Sequence, residues 1–246
     1  SFYLTVGSPL TTMSHLLMST HMLQMGLLYF IAPPLLLSGL PAKSVRCFLH
    51  LPFARHLSTL CPRPALSLFG FSCLFTMYHT STVMAALVQA PSLHALYAGC
   101  LFIAALGIWW PIAGPLTAHR LCRRERKTYL TWNVALLTPA CLMLLISAYA
   151  GANENPFLAE ALSQYCVPSH STFTFGFFDA RLDQQLAGIT MLTLHKLGLC
   201  LATKLAQHSS ASPICLCPSS FVKRTSYRLI TSKWRDDGRR PFNPRL

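Results

Sequence analysis

Charge is what this sequence has least of. Only 11 % of its residues are Asp, Glu, Lys or Arg, against 52 % hydrophobic, whereas a soluble domain carries about 25 % charged residues. No charged residue occurs before Lys43, between Arg63 and Arg120, or between Lys127 and Glu154. Gaps of that length exclude an ordinary water-soluble domain, and since an apolar run of about 20 residues crosses a bilayer, each has room for one or two spans. Acids are scarcer than bases, seven against twenty, for a net charge of +13. The basic residues lie between apolar runs and not along one face, which argues against nucleic acid as a partner. Also absent are a phosphate-cradling glycine loop, a nucleophile elbow and an H-E-x-x-H helix, so no catalytic constellation is expected. Cysteine is plentiful, but Cys73, Cys100, Cys141 and Cys200 stand singly inside apolar runs, where a free thiol packs as a small hydrophobe. The close pair Cys215 and Cys217 lacks the second pair a structural zinc site needs. The chain opens at Ser1 without an initiator Met or a basic leader region, so no signal peptide is read in it.

What remains is an all-α, polytopic transmembrane bundle of about five spans, expected at 10–37, 65–88, 93–116, 128–150 and 184–206. Pro33 and Pro34 close the first by removing backbone donors. Gln89, Ala90, Pro91 and Ser92 make a short turn between the second and third, and the fourth tolerates Pro139 because neighbouring helices can satisfy the freed carbonyl. The fifth carries His195, Lys196 and Lys204; a lysine near mid-span costs about 2.5–3.5 kcal/mol on insertion scales, so Lys196 must snorkel or face the bundle interior. The remainder, 207–246, is read as an irregular basic tail.

The loops set the orientation. Lys43, Arg46, Arg55 and Arg63 follow the first span, and Arg120, Arg123, Arg124, Arg126 and Lys127 follow the third with Glu125 as their one acid. Both loops, and the tail, are expected on the cytoplasmic side. The uncharged second turn and the loop with Glu154, Glu160 and Asp179 fall outside, and the spans alternate without conflict.

Histidine and methionine gather in the first span as His15, Met18, His21, Met22 and Met25, and at 100° per residue they form one stripe about 120° wide. Methionine is a normal gap-filler in packed helices, but an intramembrane histidine needs a partner and is functional by default. Imidazole and thioether together suit copper, above all Cu(I), better than magnesium or calcium. His15 and His21 lie in the outer half of their span. His79 and Met84 lie near the outer end of the second, His94 opens the third, and Asp183 stands at the outer start of the fifth. Candidate metal ligands are therefore His15, Met18, His21, Met22, Met25, His79, His94 and Asp183. Cys73, Met77 and Met84 share a face that His79 does not. For Asp183 the alternative is a carboxylate stabilised by a helix N-terminus.

The run SPLTTMSHLLMSTHMLQMGLLYFIAPPLLLSGLP (8–41) resembles the CtaG family of cytochrome c oxidase assembly factors, in particular members from Bacillus-type bacteria. MYHTSTVM (77–84), LHALYAGCLFIAALGIWWPIAGP (93–115), LTPACLMLL (137–145) and LDQQLAGITM (182–191) extend the similarity in order over roughly residues 1–191. The resemblance implies a non-enzymatic, multi-pass protein of the bacterial plasma membrane with cytochrome c oxidase subunits as partners and a role in copper delivery or insertion. Family members commonly have seven spans, which implies two before Ser1. By motif match, His21, Met25, His79, His94 and Asp183 take the family's polar positions, with His15 in the preceding S-H step. Where many relatives carry a second histidine, this chain has Met25 and Ala98, and after Met191 it departs from the family's continuation. Alternatives from other classes are a metal-free scaffold for an oxidase subunit, its histidines serving as interhelical hydrogen-bond partners, and a metal transporter, which would need polar residues through the inner half as well.

Overall fold

A computed structural model describes residues 14, 17–49, 64–116, 119–149 and 180–208. These all lie in the first of two compact units, Ser1–Pro213; nothing in the second, Ile214–Leu246, is among them. Every regular element among them is helical: α1 (Met18–Gly26), a π-helical turn (Leu27–Ile31), α2 (Ala32–Gly39), α3 (Ala42–Leu49), α4 (Pro64–Tyr78), α5 (Ser81–Val88), α6 (Pro91–Ala113), α7 (Arg123–Tyr149) and α8 (Ala180–His208). Four stretches are long and apolar enough to cross a membrane, Met18–Gly39, Pro91–Ala113, Arg123–Tyr149 and Ala180–Gln207, and α4 with α5 makes a fifth if that bent pair is one span.

The first span shows how proline shapes a membrane helix. Pro33 has no N–H to return to the Tyr29 carbonyl one turn earlier. That carbonyl instead accepts from Trp109 Nε1 at 2.8 Å, across the interface with α6. The preceding turn widens, with the Ala32 N–H reaching back to Leu27 O, the local adjustment by which spanning helices absorb a breaker. Pro34 likewise strips the Phe30 carbonyl of its helical donor, and this oxygen lies against Gly198 of α8, where an added Cβ would approach to 2.5 Å. Only glycine permits that approach, an instance of small residues setting helix separation where no hydrophobic effect drives packing.

The remaining contacts set the register. Tyr97 Oη donates to Leu74 O at 2.7 Å, and Ser67 lies beside Gly107, so α4 and α6 are antiparallel. Tyr129 Oη donates to Ile108 O at 2.9 Å, and Gln184 Nε2 to Ser147 Oγ at 2.6 Å, which places α7 antiparallel to both α6 and α8. Trp109, Tyr29, Phe30, Phe71, Phe75 and Tyr78 are buried at the centre, whereas Phe69, Leu96, Ile103, Ile146 and Tyr149 are exposed on the outer surface, the inverse of what water would tolerate and what lipid requires.

Two expectations change. The span expected at 65–88 is not one helix, because it bends by 74° between Tyr78 and Ser81. Several carbonyls around the break have other donors: Leu74 O accepts from Tyr97 Oη of α6, Phe75 O from His79 Nδ1, Thr76 O from the His79 N–H, and Met77 O from the N–H and Oγ1 of Thr80. These bonds let the chain turn there without leaving those backbone groups unpaired. The fourth span begins at Arg123 instead of residue 128, so the basic residues expected in a loop form the first turns of α7. The other bounds differ by a few residues. The described part of the first helix begins at Met18, the third span covers Pro91–Ala113, and the last runs Ala180–His208. The tail beyond residue 208 lies outside the described residues.

Candidate functional site

Breaking α4 at its last residue leaves Tyr78 buried and directed between α1 and α6. Its hydroxyl lies 2.9 Å from His21 Nε2 and 2.9 Å from His94 Nε2. A phenol has one proton to donate, so it donates to one imidazole and accepts N–H from the other, and with both rings neutral they carry opposite tautomers. The three rings form a compact group: His21 and His94 centroids are 6.4 Å apart, and Tyr78 stacks 6.1 Å from the first and 5.9 Å from the second. His21 is buried and His94 is half-buried, so the group opens toward the end of the bundle where α1 and α6 begin.

The carboxylate of Asp183 sits at the same end but is engaged elsewhere. Leu17, the residue before α1, offers no side-chain cap, which leaves the first N–H groups of that helix without partners. Asp183 supplies the missing acceptor from α8: Oδ2 accepts from the Met18 N–H at 2.7 Å, Oδ1 from the Ser19 N–H at 3.0 Å, and Oδ1 also from Ser19 Oγ. Asp183 thus caps the N-terminus of α1 while also standing in the first turn of its own helix, so it faces the positive ends of two helix dipoles. Both oxygens are occupied by backbone donors.

His79 follows Tyr78 but turns away from the pair. Its Nδ1 donates to Phe75 O at 2.6 Å, and its buried Nε2 has no hydrogen-bond partner. Met18, Met22 and Met25 are all buried within the hydrophobic core, and Met84 is buried as well. His15 lies outside the described residues. Thus two of the eight expected ligands, His21 and His94, are brought together around one atom, whereas Asp183 and His79 are committed to backbone partners. Among the described residues no three His, Cys, Asp or Glu side chains form a metal-binding group.

Tyr78 was not singled out by sequence reasoning. The available signal was a hydroxyl-bearing aromatic adjoining a histidine inside an apolar run, since a buried phenol needs a partner. Asn133 was missed for a similar reason: its Oδ1 accepts from His195 Nε2 at 2.8 Å, far from the first cluster along α8. Between His79 and His195 the rings of Phe75 and Phe30 follow one another in tilted and edge-to-face contact, with successive centroid distances of 4.6, 5.5 and 5.0 Å.

A family model described as cytochrome c oxidase caa3 assembly factor (Caa3_CtaG) matches residues 1–206. No curated protein and no solved structure matches the chain.

Proposed function

The chain belongs to the cytochrome c oxidase caa3 assembly factor family, and from that premise we propose that it handles copper for the oxidase, holding the ion transiently between His21 and His94. The observation that carries this reading is the convergence of two imidazole nitrogens from different helices on the Tyr78 hydroxyl, each at 2.9 Å. Neutral imidazole is a good copper ligand. His94 is half-buried, so the ion could enter and leave without unfolding the bundle. In the metal-free protein Tyr78 holds both nitrogens in place; copper, as cargo, would displace the phenol from both. Asp183 is left out of the ligand set because it caps α1, and Met22 and Met25 would serve only if α1 rotated.

The orientation follows from charge. The end opposite the histidines carries Arg120, Arg123, Arg124, Arg126 and Lys127 with Glu125, and an excess of Lys and Arg is the mark of a cytoplasmic end, which supports that orientation. The histidines then face outward across the plasma membrane, where an oxidase subunit would receive the ion. The role is non-catalytic, and the partners are oxidase subunits and the bilayer.

The test is Cu(I) titration of detergent-purified protein. His21→Ala and His94→Ala should each remove most of the binding, and unchanged stoichiometry in both rejects the site. A second reading, a metal-free scaffold for an oxidase subunit, is favoured by the protein partners that each of these imidazoles already has. Copper-independent co-purification with the oxidase, together with full oxidase activity in the His21→Ala/His94→Ala strain, would establish it. Transport of copper across the bilayer is less well supported, because Phe75 and Phe30 fill the space between His79 and His195 with apolar rings.

A further inference from the structure

The end of the bundle opposite the histidines carries a charge arrangement that helix physics alone disfavours. The first turns of α7 contain Arg123, Arg124, Arg126 and Lys127, cations at the positive end of a helix dipole, where acids are normally stabilising. At 100° per residue the four cations fan over about 160° of the helix, and Glu125 projects from the remaining side. Arg123, Arg124 and Lys127 are exposed, and Arg126 and Glu125 are half-buried. The turn is held in place from above, since Tyr129 is buried with its hydroxyl on Ile108 O.

Two further elements bring cations to the same end. Arg120 is half-buried, its Nε donating to Gly114 O at 2.8 Å just past the end of α6. Burial pulls its pKa below the ordinary guanidinium value, as expected of a desolvated cation. α3, which follows α2 after Pro41, is eight residues long and cannot span. It buries Val45 and exposes Lys43 and Ser44, the two-faced pattern of a helix lying in a membrane interface. α2 and α6 run in the same direction, tied by Trp109 on Tyr29 O, so α3, Arg120 and the start of α7 share one end of the apolar helices.

We propose that this end is a binding surface for anionic phospholipid, with Arg123, Arg124 and Lys127 contacting the head-group phosphates of acidic lipids while α3 lies on the same surface. The bound lipids offset both the mutual repulsion of the cations and their unfavourable position on the α7 dipole, and they set the depth and tilt of the bundle. The surface rests on other residues than the histidine site and stands or falls without it.

The test is lipid selectivity of the intact chain reconstituted in phosphatidylcholine vesicles containing a minor fraction of phosphatidylglycerol, with the lipids retained on gentle extraction identified by native mass spectrometry. The wild type should retain phosphatidylglycerol well above its share of the vesicle. Each charge removed should lower that preference about fivefold, so Arg123→Gln/Arg124→Gln/Lys127→Gln should leave little, and Arg123→Lys/Arg124→Lys should keep most of it. Should the triple variant fold poorly, single substitutions read the same trend. Retention in proportion to vesicle composition would overturn the proposal and leave the cations to an acidic polypeptide; undiminished preference in the triple variant would overturn the assignment to α7. Cu(I) stoichiometry should be the same in all variants, so failure here is distinguishable from failure of the copper reading.

Discussion

Replacing Tyr78 by Phe separates the copper reading from a structural one, because the two give opposite signs. In the metal-free protein the hydroxyl bonds both His21 Nε2 and His94 Nε2 at 2.9 Å. A metal ligated through those nitrogens would require both bonds to break. Each is worth about 0.5–1.5 kcal/mol net, so the wild type surrenders about 1–3 kcal/mol on binding that the variant has already lost. At 1.4 kcal/mol per decade, Tyr78→Phe should bind Cu(I) roughly fivefold to a hundredfold more tightly. The metal-free variant should also be less stable, since the buried His21 nitrogen and the half-buried His94 nitrogen each lose a partner, at about 1–3 kcal/mol for an unsatisfied buried group and less for one that water reaches. Copper should then raise the melting temperature of the variant more than that of the wild type. Competition titration against a Cu(I) chelator measures the first effect, and thermal denaturation in detergent with and without copper measures the second. Binding that is weaker than wild type in a variant of normal size-exclusion profile would refute the reasoning, and would identify the phenol as a ligand or as the strut that keeps the histidines together.

Other substitutions probe the frame around the site. Asp183→Ala leaves the Met18 and Ser19 N–H groups without their acceptor and should cost about 3–6 kcal/mol, because hydrogen bonds to a charged group are worth about 1.5–3 kcal/mol each; Cu(I) stoichiometry should hold in whatever fraction stays folded, and its loss there would return Asp183 to the ligand set. Trp109→Phe strips the Tyr29 carbonyl of its donor and should destabilise by about 1–3 kcal/mol. Pro33→Ala restores an N–H one turn away, so the double variant should recover part of that loss, and simple additivity in a double-mutant cycle would show that the two groups do not share the carbonyl. Gly198→Ala places a Cβ 2.5 Å from Phe30 O and should cost about 1–3 kcal/mol through overpacking, measured as a lower midpoint of thermal unfolding; a wild-type midpoint would mean that α8 can slide away from the π-helical turn freely.

The amino-acid sequence by itself determined that the chain is a membrane bundle, roughly where its spans lie, and which family it resembles. Those properties are local: hydrocarbon excludes charge residue by residue, so the gap between Arg63 and Arg120 reports apolar helices long enough for two crossings, of which α6 is one and the bent pair α4 and α5 a second if it counts as one span. The first span's polar stripe was equally legible, and so was the gathering of histidines toward one end.

The tertiary structure decided which of those groups meet. A stripe on one helix says nothing about what faces it, and the buried face of α1 presents Met18, Met22 and Met25 to the core along with His21. Asp183 could not be read as the cap of α1, because its partners Met18 and Ser19 stand 165 and 164 positions away along the chain. Tyr78 reaches His21 and His94 because α4 ends where it does, and the polar residues at 78–82 do not by themselves say that the helix breaks there. Crossing into lipid is settled by the transfer of each side chain on its own. The pairing of polar atoms within the bundle depends on helix rotation, tilt and interruption, which emerge only when all the helices pack.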